Sequence, residues 1–583
     1  MIPELFQEKA SQAANLTKRT KILEASDRMR DTNMTVYRAI LDANRDRLGT
    51  PALLAGGKKV SYAELFEMAD RVADILATAG VKAGDLILAQ IHGTPESAAL
   101  LLAASKSGVS VMMLNQRTSE QTLASLVEHF DVRFLFVMEK FFLTIADYSF
   151  IDDDKMVVVL PKDADRANPA RSAPGTCSNI MKWSAFMRLP ADIRATEVTH
   201  GRYPMSICST SGSSGVPKGI VQTNQSCVEL MRIFGPAVSG WTEKDLYACV
   251  FPFFLTSGQS FNLFLPLAAG MTVLIDPDVS LEAFWDDIET HSPTIALLVK
   301  YNWLSLIRIA EERGARPDLS RLRMAYAVGA KMTDAERESV DSFLSECGAA
   351  CRITNLFGLS ETNSILACES KGDAGWYFRP LDAVRIICRS EETGEALGPG
   401  LRGRLLFRTP CLMQGYLMDP RMTEKAFVKD ADGEVWFDTA DIGYLTEDGG
   451  FVVEGRQTDL FRFGGKSVYV FEIKKLLETS PLVRTCEVYF NRSKDELRAY
   501  VVPEDDSLAS RGDGDEERRN RQEETVRRLA DHLVSSGKIG LFPSKFRFLE
   551  AIPLARSGKP DILAMLDLED YIASEREKGE NNR

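Results

Sequence analysis

The stretch from Tyr203 to Gln222, YPMSICSTSGSSGVPKGIVQ, constrains the fold more than any other. An apolar strand runs into an unbroken series of small and hydroxyl-bearing residues, then Lys218, then a second short strand. Two strands joined in this way make a hairpin-like unit, and no helix opens on the glycines, because GIVQT reads as β. Two common phosphate-binding designs are thereby excluded. A Walker loop would need Gly at Pro217 and a hydroxyl residue at Gly219, and a dinucleotide fingerprint would need a helix starting on its glycines. What remains is a loop that grips an anion with its own groups. Gly212, Gly215 and Gly219 let backbone N–H groups turn inward, Thr210, Ser211, Ser213 and Ser214 add hydroxyls, and Lys218 adds a movable positive charge. Taken alone, the same residues would also make a plain flexible tip.

Composition narrows the partners. The 583 residues are 45% hydrophobic and 26% charged, an ordinary globular balance with length for several domains. A formal net charge of −13 argues against nucleic acid or an anionic membrane as a general partner, so an anionic substrate must be attracted locally. The opening MIPELFQEKASQ lacks an apolar leader segment, and no run of about 18 apolar residues occurs, so a cytoplasmic protein is expected. Ten cysteines without a CxxC, and five histidines (His92, His129, His200, His291, His532) away from the motifs, disfavour a disulfide framework, a zinc site and Ser-His-Asp chemistry.

Along the chain the texture changes four times. Residues 1–35 are charged and mildly amphipathic, a helical extension ahead of the core. From Val36 to about Phe150, helix-period stretches such as YAELFEMADRVADILATAG alternate with strands such as DLILAQIHG and VSVMMLN. A second alternating run from Pro204 to Cys368 carries strands at MSICST, LYACVF, TVLIDP, TIALLV and RMAYAVGA. Both runs predict layered α/β subdomains. Asp382 to Val453 breaks into short strands with Gly, Pro and Asp turns, a small β-rich subdomain. The expected architecture is therefore α/β: a large domain over 36–455, then a small α+β domain over 456–583, whose charged tract Glu504–Glu524 is a solvated insertion or a helix start.

Spaced motifs now add to the loop. AYAVGAKM ends a strand at Gly329, Ala330 and Lys331, and NLFGLSET runs from Asn355 through Phe357 and Gly358 to Ser360 and Glu361. There the Gly permits close ligand approach, the Ser offers a hydroxyl and the Glu offers a hard oxygen suited to Mg²⁺. WFDTADIGYLTEDGGFVVEGRQTD carries Asp441, Val453 and Arg456, and PLARSGKPDI carries Lys559. In this order, from Val36 to Ile562, the motifs resemble those of the adenylate-forming superfamily, which includes acyl- and aryl-CoA ligases, luciferases and nonribosomal adenylation domains.

The resemblance implies roles. Thr210, Ser211, Gly212, Ser213, Ser214, Gly215 and Lys218 would hold the β- and γ-phosphates of ATP, Gly329, Ala330 and Lys331 would wall the adenine, and Asn355 would be a further cofactor-binding residue. Phe357, Gly358 and Ser360 would line the nucleotide, with Glu361 holding Mg²⁺. Asp441 would accept the ribose hydroxyls, which need an acceptor-only bidentate partner, with Val453 and Arg456 beside it. Lys559 would be the catalytic lysine, carried by a mobile C-terminal domain turning after Gly455 and Arg456. Gly464 and Gly465 resemble the Gly-Gly of CoA ligases, where a pantetheine arm passes the backbone. Both lysines and the cation would neutralise a reaction between two anions, a carboxylic acid and ATP.

Departures from the family pattern are Phe357 for Tyr, Ala440 for Gly, Leu255 for His in PFFLTSG, Lys300 for Pro, and Thr458 where Asp or Lys is common. Phe253, Phe254, Phe261 and Phe264 are either pocket walls or core, and Lys300 either meets a substrate group or does not. The expected activity is acyl-adenylate formation with pyrophosphate release and transfer to a thiol, CoA first among acceptors. The alternatives are a stand-alone adenylation enzyme loading a carrier-protein phosphopantetheine, and a catalytically inactive nucleotide-binding scaffold.

Overall fold

The computed structural model describes residues 34–91, 93–115, 118–142, 156–160, 180–210, 218–237, 240–373, 375–430, 432–463, 466–491, 496–509, 516–536, 542–553, 560–562 and 564–566. These pack as two compact units: the described residues within Met1–Ile386 and Phe407–Asp438, and those within Ile387–Leu406 and Thr439–Arg583.

The first unit is built on two sheets. One runs in the order Gly415–Tyr416, Lys218–Thr223, Pro204–Thr210, Ser110–Met113, Leu86–Gln90, Phe134–Met138, Met156–Leu160 and Ile180–Lys182. From Pro204–Thr210 to Ile180–Lys182 every pairing is parallel, whereas Lys218–Thr223 pairs antiparallel to both of its neighbours. The other sheet places Pro51–Ala55, Thr272–Ile275, Leu246–Cys249, Ile295–Val299, Met324–Val328 and Ile353–Phe357 side by side, all parallel, before Ala367–Gly372 and Gly375–Pro380 turn antiparallel. Strands such as Phe134–Met138 and Ile295–Val299 are buried at every position, as expected when helices cover both faces of a parallel sheet.

Local sequence explains where the covering helices begin. Tyr62–Thr78 starts on a capping box in which the Ser61 hydroxyl accepts from the Glu64 N–H (3.2 Å) while Glu64 accepts from the Ser61 N–H (2.7 Å). Pro95–Ser107 starts behind Thr94 with Pro at its first turn and stops at Gly108 in the left-handed conformation. Around Ile295–Val299 and Met324–Val328 the core gathers Trp285, Trp303, Leu306, Phe343 and Ile353.

The second unit contains the antiparallel pair of Val435–Leu445, from Thr439 onward, with Phe451–Arg456. Beyond it, Val483–Asn491 pairs antiparallel with Glu496–Pro503, which pairs parallel with Lys545–Phe548. The helices Val470–Glu478 and Glu516–Ser535 bring Ile473, Leu477, Leu529 and Leu533 onto this sheet's Val483, Cys486 and Val501. The charged tract that the sequence left as insertion or helix start therefore opens a helix at Glu516.

Candidate active site

In the first unit the glycine- and serine-rich loop springs from a hairpin. Thr210 stands opposite Lys218 at the last rung, and Lys218–Thr223 is paired on its other side with Gly415–Tyr416. Ser211, Gly212, Ser213, Ser214 and Gly215 lie outside the described residues, as do the side chains of Thr210 and Lys218. Two further bonds pin the strand: Leu417 N–H donates to the Gly219 carbonyl (2.7 Å) and Gln414 N–H to the Val221 carbonyl (2.9 Å). Both ends of the loop thus start from fixed backbone.

Four residues along that strand, Gln222 donates from Nε2 to the Ser360 carbonyl (2.7 Å). Ser360 and Glu361 sit half-exposed on a single tight turn after Ile353–Phe357. Gly358 is dictated by space, since a Cβ there would overlap the Ser364 carbonyl oxygen. The turn is closed by Thr362, whose hydroxyl donates to the Leu359 carbonyl (3.0 Å), so local capping falls to Thr362 and not to Ser360 or Glu361. Asn363 and Ser364 then take positive φ values of 56° and 98°. The Asn363 side chain holds this conformation, donating to the Cys411 carbonyl (3.2 Å) and accepting from Cys227 (3.5 Å).

Glu361 gains a partner that sequence reasoning missed. The Tyr416 hydroxyl donates to its Oε1 (2.9 Å), and the Met413 N–H bonds the Glu361 carbonyl (2.8 Å). Tyr416 belongs to the strand beside Lys218–Thr223, so one phenol joins the carboxylate to the strand that begins on the loop lysine. Among the described residues no group of three or more His, Cys, Asp or Glu could hold a metal. A single oriented carboxylate nevertheless fits Mg²⁺, which takes few protein ligands and completes its shell with phosphate oxygens and water.

Asn355 connects a second candidate segment. It is fully buried, and its Nδ2 donates to the Ala330 carbonyl (3.1 Å), fixing the turn at Gly329, where φ is +90°. Its Oδ1 has no hydrogen-bond partner among the described residues. An unpaired buried acceptor is costly unless a donor reaches it, and the exocyclic amino group of a base such as adenine is one donor of that kind. Phe357 packs against Phe378 (5.4 Å between centroids) and Phe407 (5.7 Å), which keeps the stacking that its missing hydroxyl does not affect. Below it, Arg337 pairs with Glu369 at 2.6 Å, both buried, and burial pushes the Glu369 carboxyl upward against the pull of that guanidinium.

The four phenylalanines from Phe253 to Phe264 are all buried. Phe253, Phe254, Phe261 and Phe264 are all at most 5% exposed and belong to the core, with Phe261 edge-on to Phe234 at 5.6 Å. Leu255 is half-buried. Lys300 is buried too, its ammonium 2.8 Å from Glu336 Oε1, so its charge is balanced by the protein itself. Burial also pushes the Cys208 thiol up to about 11 and Cys411 up to about 12, leaving both unionised at neutral pH.

In the second unit Asp441 is 2% exposed and stands directly across from Arg456, whose Nε lies 2.7 Å from Asp441 Oδ1. Its N–H donates to the Thr439 hydroxyl (3.0 Å), which donates in turn to the Leu405 carbonyl (2.8 Å). Between them Ala440 adopts φ +56°, which explains why glycine would be the ordinary residue there. Val453 lies on the partner strand opposite Gly443. The residue after Thr458 supplies a polar anchor for this turn: Asp459 accepts from the Arg456 N–H (3.3 Å). Gly464, Gly465 and Lys559 lie outside the described residues.

A family model described as AMP-binding enzyme matches residues 41–417. The 2-succinylbenzoate–CoA ligase of Bacillus licheniformis is 26% identical over 521 residues, covering 87% of this chain and 95% of that protein. A fatty acid–[acyl-carrier-protein] ligase of Streptomyces coeruleorubidus is 24% identical, covering 88% and 92%. Among solved structures, an anthranilate CoA ligase in complex with anthranoyl-AMP superposes with a TM-score of 0.75 at 18% identity, over 94% of this chain and 99% of that one, a likeness of fold.

Proposed function

Since the chain belongs to the AMP-binding enzyme family, we propose that it activates a carboxylic acid with ATP and passes the acyl group to a thiol, CoA foremost. A carboxylate oxygen attacks the α-phosphorus, the bond to the bridging oxygen breaks, and pyrophosphate leaves. The thiol sulfur then attacks the acyl carbon of the mixed anhydride, AMP departs, and the thiol proton goes to solvent. Relatives named as CoA ligases support the acceptor. The fatty acid–[acyl-carrier-protein] ligase supports the second reading, delivery to a carrier protein.

One observation carries the proposal: Tyr416 and Gln222 tie the Glu361 turn to the strand that begins on Lys218. A cation held by Glu361 would supply charge neutralisation at phosphate oxygens beside the loop, while Tyr416 fixes the orientation of that carboxylate. Asn355 and the Gly329 turn would select the base, and Asp441 would receive the ribose. A turn about Arg456–Asp459, within the second unit, would let the residues that follow it bring Lys559 to the reacting carboxylate. No helix among the described residues is long and apolar enough to cross a membrane.

Acid-dependent ATP–pyrophosphate exchange across fatty, benzoic, cinnamic and amino acids tests the first half, with Lys559→Ala as control. That variant is expected to lose on the order of a hundredfold in adenylation. No exchange with any acid would refute the reading. Comparing free CoA with a phosphopantetheinylated carrier protein decides the acceptor.

A further inference from the structure

Lys300 is the first residue of the helix Lys300–Arg313 and follows directly on the strand Ile295–Val299. Its side chain is 3% exposed, its ammonium lies 2.8 Å from Glu336 Oε1 and 4.4 Å from the Tyr301 ring centroid, and Glu336 is 6% exposed. Such a pair is an expensive choice for stability alone, because two charges lose their hydration and well-packed apolar side chains would serve as well or better. What the charged pair adds is direction.

Glu336 is the third residue of the helix Asp334–Glu346 and closes a capping box with Thr333: its Oε2 accepts from the Thr333 N–H (2.8 Å), and the Thr333 hydroxyl accepts from the Glu336 N–H (3.2 Å). The carboxylate therefore accepts a hydrogen bond from the C-terminal end of the segment Gly329–Thr333 with one oxygen, while the other is ion-paired with Lys300. At the segment's start Val299 stands opposite Val328 and against Gly329, and Asn355 holds the Ala330 carbonyl in between.

We propose that Lys300 is a positioning residue for the nucleotide: through Glu336 it locks the far end of the Gly329–Thr333 wall, and so sets ATP affinity and base preference without touching the acid. The inference rests on the reading of the site given above. Lys300 acts through Glu336, Thr333 and the wall, in series.

Calorimetric ATP and GTP binding in the absence of acid tests it, using wild type, Lys300→Met and the double variant Lys300→Met/Glu336→Gln, in which the Gln oxygen can still cap Thr333. The single variant is expected to lose thermal stability, since it leaves a buried carboxylate alone, and the double variant to recover most of it. The double variant should still bind ATP about tenfold more weakly, the effect of roughly one ordinary positioning bond, with a matching fall in preference over GTP. Its KM for the acid should not move. Wild-type affinity and base preference in the double variant would overturn the proposal, as would a change confined to the acid KM. A wild-type protein that binds no ATP would instead remove the reading of the site, and this inference with it.

Discussion

Ala440→Gly should stabilise the protein, against the usual direction for an exchange into a strand. Ala440 sits in Val435–Leu445 with φ +56°, between Thr439 and Asp441, both buried. An L-residue with a Cβ pays about 1–2 kcal/mol in this region because Cβ crowds the following carbonyl. Glycine removes that cost but gives the unfolded chain more freedom, an opposing term of about 0.4–1 kcal/mol. The balance is a gain of about 0.5–1 kcal/mol. For a cooperative unit of 150–250 residues that is a rise in Tm of about 1–4 °C. Scanning calorimetry checks it, together with urea midpoints at unchanged slope. ATP affinity should stay within about twofold, because Asp441 remains tied through its N–H to Thr439 and across the strand to Arg456. Ala440→Val provides the opposite arm, as a β-branched side chain suffers more at positive φ and should lower Tm. A fall in Tm for Ala440→Gly comparable to an ordinary Ala→Gly in a strand would show that this backbone is not strained, and would refute the account of why glycine belongs there.

Tyr416→Phe should leave Tm nearly unchanged, since the bond to Glu361 is half-exposed, yet raise the Mg²⁺ concentration needed for half-maximal pyrophosphate exchange several-fold; an unchanged Mg²⁺ dependence would separate Tyr416 from the cation. Gly358→Ala should fail to accumulate as folded protein or lose several kcal/mol in urea titration, because its Cβ overlaps backbone that no rotamer change can move. Asp287 is pushed up to about 7, first by burial and then by Asp276 and Asp286. A carboxyl raised above its unfolded value of 3.8 destabilises the fold as pH rises from about 4 to 7, so Asp287→Asn should raise Tm at pH 8 and much less at pH 4.5, a pair of melting curves that equal shifts at both pH values would contradict.

Much of the fold was legible because period and punctuation agreed. The strands at MSICST, LYACVF, TVLIDP, TIALLV and RMAYAVGA form as read, and GIVQT continues from Lys218 as β, which made the loop a hairpin junction rather than a helix cap. Site residues on short motifs could be placed for the same reason, since Asn355, Gly358 and Glu361 fall within ten residues of one strand end. What the sequence withheld were partners distant in the chain. Nothing in Gly-Tyr at 415–416 announces a bond to Glu361, because that pairing depends on a two-residue strand reaching Lys218–Thr223. The neutralisation of Lys300 was equally hidden, for its partner lies on a helix whose own capping box fully accounts for a Glu at position 336. Likewise Thr458 left the polar anchor of the turn after Arg456 open, and the carboxylate that accepts from the Arg456 N–H belongs to the next residue, Asp459.

The distribution of backbone strain gives an independent view of where function sits. Among the described residues, six non-glycines have positive φ: Asp131, Ser292, Asn363, Ser364, Met418 and Ala440. Ser292 merely ends a helix and Asp131 follows one, where left-handed residues are routine. The other four neighbour candidate residues: in the first unit two behind the Glu361 turn and one two residues after Tyr416, and in the second unit one directly before Asp441. Asn363 ends the tight turn Ser360–Thr362 and Ser364 follows it, whereas Met418 and Ala440 follow no helix; such residues cost of order 1 kcal/mol or more. Strain persists only where surrounding contacts over-determine the backbone, and here those contacts are the ones that aim Glu361 and Asp441: Asn363 to Cys411, Tyr416 to Glu361, and Asp441 to Thr439. Relieving strain at Ala440 with glycine and at Ser364 with glycine should therefore differ in outcome. The first leaves Asp441's tethers in place and raises Tm. The second frees the turn that carries Glu361, so Ser364→Gly should gain stability while losing Mg²⁺-dependent pyrophosphate exchange, and a variant that gained both would show that strain behind Glu361 plays no part in holding the carboxylate.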